Sequence, residues 1–226
     1  MLAQQPTFWH PLGLSFAVAA AATGLSLLVG VPIAALLSRK RFWGRDLVDA
    51  VVCLPLVLPP TVLGYYLLIL LARSSPLGHL FEAIFGMPLT FTPAGAVVAA
   101  MVHALPFIIK AGRAALEGVD PLLLRAAASL GAGELRSLWT VTLPQCRRAL
   151  LAATLLAFAR ALGDFGVTLM VAGDIPGYTQ TAALAIYDAV EGGHDRVALG
   201  YVAVLSVLSL AVMYIGNKLT PAAHER

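Results

Sequence analysis

Asp120-Pro121-Leu122-Leu123-Leu124-Arg125-Ala126-Ala127-Ala128-Ser129-Leu130-Gly131-Ala132-Gly133-Glu134 is a stretch that supplies its own start and stop signals. Asp120 can accept a hydrogen bond from an unsatisfied amide of the first helical turn, and Pro121 loses nothing there by lacking an N–H. A helix is expected from Leu122 to Leu130. Gly131 should end it, because glycine takes the left-handed backbone that closes a helix C-terminus. Beyond Gly133 a second short helix is expected from Glu134 to about Val141, stopping before Leu143-Pro144. The product is a helix, a glycine turn and a helix, with alanines small enough for another protein to approach closely.

What flanks this unit, residues 117–148, decides where it works. Long apolar stretches lie on both sides, at 93–116 and 149–173, and three more run at 12–38, 50–72 and 197–217. Each has about the 20 residues that a membrane-crossing helix needs. The first is too long for a signal-peptide core and has no basic segment before it. The composition agrees: of 226 residues, 59% are hydrophobic and only 12% charged, where a soluble domain carries roughly 25%. A soluble enzyme, a disordered tail and a disulfide scaffold built on Cys53 and Cys146 are all excluded. The expected fold is an all-α polytopic membrane bundle of about five spans. It is a single domain, 1–226, with its core at about 12–217.

The net charge of +3 and the isoelectric point near 9.1 follow from topology. Arg39, Lys40, Arg41 and Arg45 follow span one, and Lys110, Arg113, Arg125, Arg136, Arg147 and Arg148 surround the connection between spans three and four. Lys218 and Arg226 follow span five. Basic residues collect on the cytoplasmic side, so the N-terminus is expected outside and the C-terminus inside. Ala126 to Gly131 also looks like the middle of a DNA-reading helix-turn-helix. Tethered between two spans and lacking a third helix, it is a docking site instead, and nucleic acid is not an expected partner. His10, His79, His103, His194 and His224 show no ligand spacing, so no metal site is expected, and no nucleophile constellation marks a catalytic residue.

Two spans carry chemistry that a passive anchor would not need. Span two contains Pro55, Pro59 and Pro60, and a break is expected at Pro59-Pro60, since each proline removes a helix hydrogen bond. Broken backbone at membrane depth is tolerated only against protein or a wet cavity. Pro59, Pro60 and Thr61, with the Tyr65 and Tyr66 hydroxyls, are therefore candidates for a translocation path. Span four contains Arg160 and Asp164, four residues apart and expected on one helix face. Ionised groups at this depth face the bundle interior, either as an internal ion pair or with Arg160 lending positive potential to an anion path. Ala17, Ala20, Ala21 and Gly24 give span one a small-residue face, and five helices are few to enclose a pathway, so a homodimer is expected.

Arg125-Ala126-Ala127-Ala128-Ser129-Leu130-Gly131, followed by Val141-Thr142-Leu143-Pro144, resembles the EAA motif of permease subunits in binding-protein-dependent ABC importers. The resemblance implies a type I ABC importer fold in which this segment is the coupling helix seated in a cleft of the ATPase. Ala126, Ala127, Gly131, Val141, Leu143 and Pro144 match the motif, while Arg125 stands where the family usually has Glu. Pro55 to Tyr66 resembles the second span of molybdate permeases, and Ala159 to Thr168, continuing through Thr181, is similar to their fourth span and following loop. This draws Gly166 and Thr168 into the candidate path. Sulfate permeases share the later segment but not the double proline. The resemblance implies import of molybdate, or chemically similar tungstate, across the inner membrane. It further implies two copies of this chain, two ATPase subunits and a periplasmic molybdate-binding protein facing segments 73–92 and 174–196, where 179–191 reads as a short amphipathic helix. No Gly-x-x-x-x-Gly-Lys-Ser/Thr loop occurs, so no cofactor is expected on this chain, and ATP with its Mg would bind the partner. A self-sufficient secondary anion transporter is the alternative from another class. It would not need the helix–glycine–helix dock.

Overall fold

In the computed structural model, which describes residues 8–39 and 43–219, every regular element is a helix. Lys40, Arg41, His224 and Arg226 lie outside the described residues. The elements run in order α1 Trp9–Arg39, α2 Arg45–Val57, α3 Pro60–Leu71, α4 Pro76–Phe85, α5 Pro93–Glu117, α6 Pro121–Ser129, α7 Glu134–Ser137, a π-helical turn Leu138–Thr142, α8 Leu143–Leu162, α9 Gly166–Ala172, α10 Ala182–Glu191 and α11 Asp195–Leu219. Three helices are individually long and apolar enough to cross a membrane, within Trp9–Ser38, Pro93–Glu117 and Asp195–Gly216. The other two expected spans are bent pairs, α2 with α3 at 114° and the Glu134–Leu162 helix with α9 at 61°. If each bent pair is one span, the chain has the expected five.

Small residues hold the bundle together. Val18, Ala19 and Ala22 of α1 meet Ala96, Ala100, Ala104 and Ile108 of α5, and Ala153, Ala157 and Ala161 of α8 close the layer. Lipid tails are as apolar as leucine, so helices in a bilayer gain by close backbone approach rather than by hydrophobic burial, and alanines at every fourth position permit it. The face of α1 carrying Ala17, Ala20, Ala21 and Gly24 points the other way and is exposed. The expected small-residue face is real, but it does not build this chain's own core.

Local chemistry explains the shorter elements. Ser75 caps α4 by accepting from the Gly78 amide, 2.9 Å, and Thr92 caps α5 by accepting from Gly95, 3.3 Å. Both helices begin with proline at the position where its missing donor costs nothing. The break in span two falls where the double proline predicts. Leu58 and Pro59, each preceding a proline, are extended with ψ of 140° and 137°, because the following ring excludes the helical conformation. Pro60 then opens α3.

One expected stop is not a stop. The helix beginning at Glu134 runs on through Leu143-Pro144 to Leu162. Pro144 cannot donate to a carbonyl four residues back and its ring crowds that turn. The preceding turn widens to π geometry, with the Leu143 amide reaching Leu138 O. The second arm of the docking unit is therefore rigidly continuous with span four.

Candidate functional site: a docking turn and a buried polar break

The docking unit closes as its sequence predicts. The Asp120 carboxylate accepts from the Leu122 amide at 2.8 Å, and α6 ends in a paired turn. The Gly131 amide donates to Ala128 O and the Ala132 amide to Ala127 O, both at 3.0 Å. This is the Schellman arrangement, which needs a positive φ at its pivot, and Gly131 supplies φ 79°. The outer surface of the turn carries large apolar side chains, with Leu130 86% exposed and Trp139 67%, beside exposed Leu122, Leu123 and Leu135 and the exposed polar Ser129, Glu134 and Arg136. Arg125 is exposed on the same helix, its Nε 3.4 Å from Pro121 O. Ala126 is exposed and Ala127 buried.

The inner surface is anchored. Leu124 of α6, Leu138 of the π turn and Leu143 of α8 pack against Ala34, Ala35, Leu116, Val119 and Cys146. Leu143 belongs to this joint and not to the exposed face, while Pro144 is exposed and Val141 half-buried. The turn is thus packed against α1, α5 and α8 together. Beside it a charge network pins α2 to α5. Asp49 receives Lys110 Nζ at 2.6 Å and Arg113 Nη1 at 3.1 Å, and Glu117 receives Arg113 Nε at 2.9 Å and Arg45 Nη2 at 2.8 Å. Counting basic residues as a topology signal misses this. The acidic partners Asp49 and Glu117 were the available clue.

The second site lies where the two broken spans meet. Gly166, first residue of α9, sits so close to Pro60, first residue of α3, that an added Cβ would fall 2.8 Å from the proline Cβ. Pro59 and Thr61 flank this contact along the chain and are exposed, as are Tyr65 and Tyr66. Arg160 and Asp164 do not share a continuous helix face, contrary to their spacing: α8 ends at Leu162 and Asp164 lies in the break before α9. Its carboxylate caps the restart instead. Oδ2 accepts from the Thr168 amide at 3.0 Å and from Thr168 Oγ1 at 2.6 Å, satisfying donors that the broken helix would leave bare.

Oδ1 of Asp164 meets His103 Nδ1 at 2.6 Å, and the Arg160 guanidinium completes the expected internal ion pair at 3.7 Å. His103 is the partner that spacing rules miss, since it comes from α5, 61 residues distant. A histidine in the middle of an apolar span was the signal available, because an ionisable group there requires a partner. His103 and Asp164 side chains are 4% and 1% exposed, whereas Arg160 is 32% exposed. The buried pair lies behind, and the guanidinium reaches the accessible side.

Outside the spans, the 173–181 loop ties back on itself. Thr179 Oγ1 donates to Gly173 O and accepts from the Ile175 amide, each at 3.1 Å. The following α10 buries Ala182, Leu184, Ala185 and Ala189, matching the expected amphipathic helix.

These features define a multi-pass α-helical membrane protein with an exposed helix–glycine–helix turn rooted in its span bundle. The chain belongs to the family described as binding-protein-dependent transport system inner membrane component, whose model matches residues 26–224. It is 39% identical to the molybdenum transport system permease protein ModB of Escherichia coli (strain K12), over 96% of each chain. It is 42% identical to ModB of Azotobacter vinelandii over 79% of each. Among solved structures, an inward-facing MetNI methionine ABC transporter shares the fold, with a TM-score of 0.71 at 18% identity over 96% of this chain and 97% of that one.

Proposed function

We propose that this chain is the membrane-spanning subunit of an ATP-driven importer that moves molybdate, or the similar tungstate, across the inner membrane. The observation that carries the reading is the docking turn: an exposed surface bearing Leu130, Leu135 and Trp139 around Gly131, on a hairpin whose second arm continues directly into span four. A self-sufficient carrier has no need of such a surface. Two copies of the chain, two ATPase subunits and a periplasmic molybdate-binding protein complete the transporter, and ATP with Mg binds the ATPase. The N-terminus lies outside and the C-terminus in the cytoplasm, as the basic residues around the docking segment favour.

In this scheme the ATPase grips Arg125, Ala126, Ala127 and Gly131, and its closure tilts α8 through the joint at Leu143. Val141 and Pro144 lie where the turn becomes that lever. Pro59, Pro60, Thr61, Arg160, Asp164, Gly166 and Thr168 form the path or its gate. The two helix breaks are natural hinges, because movement there costs no regular backbone hydrogen bonds.

The test is uptake by vesicles holding this chain, its ATPase and its binding protein, supplied in turn with labelled molybdate, tungstate and sulfate. ATP-dependent accumulation of molybdate or tungstate supports the reading. Accumulation of sulfate alone transfers the chain to a sulfate-type importer, and accumulation without the ATPase makes it a secondary transporter.

A further inference from the structure

Asp164 stands four residues after Arg160, and neutralising that arginine is its obvious task. The geometry assigns the carboxylate elsewhere. An ionised carboxylate offers about four lone-pair sites, and three are taken by other donors: the Thr168 amide and hydroxyl on Oδ2, and His103 Nδ1 on Oδ1. Arg160 Nη1 lies 3.7 Å from Oδ1, an ion pair too long to be a hydrogen bond. Nδ1 of His103, although 3.1 Å from Arg160 Nη2, carries a single proton, and the shorter 2.6 Å contact with the carboxylate claims it. That nitrogen then has no lone pair to give the guanidinium.

We infer that His103 is a positioning residue that takes the Asp164 hydrogen bond and so leaves the N–H donors of the ion-paired Arg160 guanidinium available to the passing oxyanion. This rests on the proposed import function and deepens it by naming how the anion is met. An arginine within a spanning segment must find negative charge or water, and here the chain's own carboxylate supplies charge at 3.7 Å without a hydrogen bond. The guanidinium is also the most accessible member of the cluster. Its planar fork matches tetrahedral oxyanions, which take paired N–H donors. Two copies of the chain would present two such groups, equal in charge to one dianion.

The experiment measures anion accumulated per ATP hydrolysed by the complete transporter in vesicles, with membrane accumulation of each variant checked alongside. His103→Leu removes the competing donor, so Asp164 captures Arg160. Transport per ATP is expected to fall about tenfold, the worth of one hydrogen bond to a charged group, while ATP hydrolysis persists. His103→Asn keeps a donor near the Nδ1 position and should stay within about twofold of the unsubstituted chain, a loss smaller than that bond. Adding Asp164→Asn to His103→Leu should recover part of the loss, because a neutral amide no longer draws the guanidinium. A purely structural pair predicts that the double variant is worse.

Normal transport by His103→Leu, no recovery in the double variant, or a tenfold loss in His103→Asn at normal accumulation each overturns the inference. If the leucine variant does not accumulate, the asparagine variant decides alone. If the unsubstituted complex carries none of the three oxyanions, the proposed function itself fails and takes this inference with it. If it carries them and the variants disagree, only the role of His103 falls.

Discussion

Replacing Gly131 by valine perturbs one backbone angle and little else. No heavy atom lies within 4 Å of the position a Cβ would take, so a clash with neighbours contributes nothing. What remains is the residue's φ of 79°, where an L side chain costs about 1–2 kcal/mol, and a β-branched one sits at or above the upper end. That shifts the balance between the closed turn and its alternatives by roughly 5–30-fold. Only the turn is affected, because Leu124, Leu138 and Leu143 still hold the hairpin's root. The valine variant should enter the membrane, with a melting temperature lowered by no more than about 8 °C. It should lose binding-protein-stimulated ATP hydrolysis and uptake in vesicles. Gly131→Asn is the control, since asparagine tolerates the left-handed region, and it should retain most of both activities. Normal uptake by the valine variant, or equal damage from asparagine, would refute the assignment of this turn as the coupling contact.

Two more outcomes follow from the geometry. Gly166→Ala places a methyl 2.8 Å from a carbon of the rigid Pro60 ring. The breaks of the two bent spans must separate, at the roughly 1–3 kcal/mol typical of overpacking, and a lowered melting temperature in detergent is the measurement. Asp174, in the loop after α9, is held above the usual carboxylate range chiefly by burial, with the Asp188 carboxylate adding to it against an opposing Gln180 hydrogen bond. One of its oxygens is buried without a partner. A raised acid pKa means the folded state binds the proton more tightly, so stability falls as pH rises through the interval between the unfolded and folded values. Asp174→Asn should therefore stabilise the protein at neutral pH and give no gain below the ordinary carboxylate range, read as melting temperature against pH.

The charge network at the foot of α2 and α5 shows how function and scaffold share residues. Lys110, Arg113 and Arg45 enter the sequence reading only as positive charge, a topology signal. In the folded chain they also bind Asp49 and Glu117, fixing α2 close to the docking unit. Partly exposed pairs of this kind are worth little singly. As a network they restrain α2, which buries none of its residues.

What could be read from the residues alone was whatever is decided within a few positions along the chain. Apolar runs of spanning length, the Asp120-Pro121 start, the Gly131 stop and the double-proline break depend on backbone propensities and capping, which act over one or two turns. The EAA-like motif added the family, since its spacing encodes one local unit. Tertiary structure decided the rest. It carried the second docking helix through Pro144 by widening a turn, and turned the α1 small-residue face outward while other alanines built the core. It also broke span four between Arg160 and Asp164, which pair at 3.7 Å across that break. Above all it brought His103 to Asp164. No local rule sets that contact, because helices in lipid choose their neighbours by close packing and by the need of each buried polar group for a partner, and both are settled only when distant spans meet.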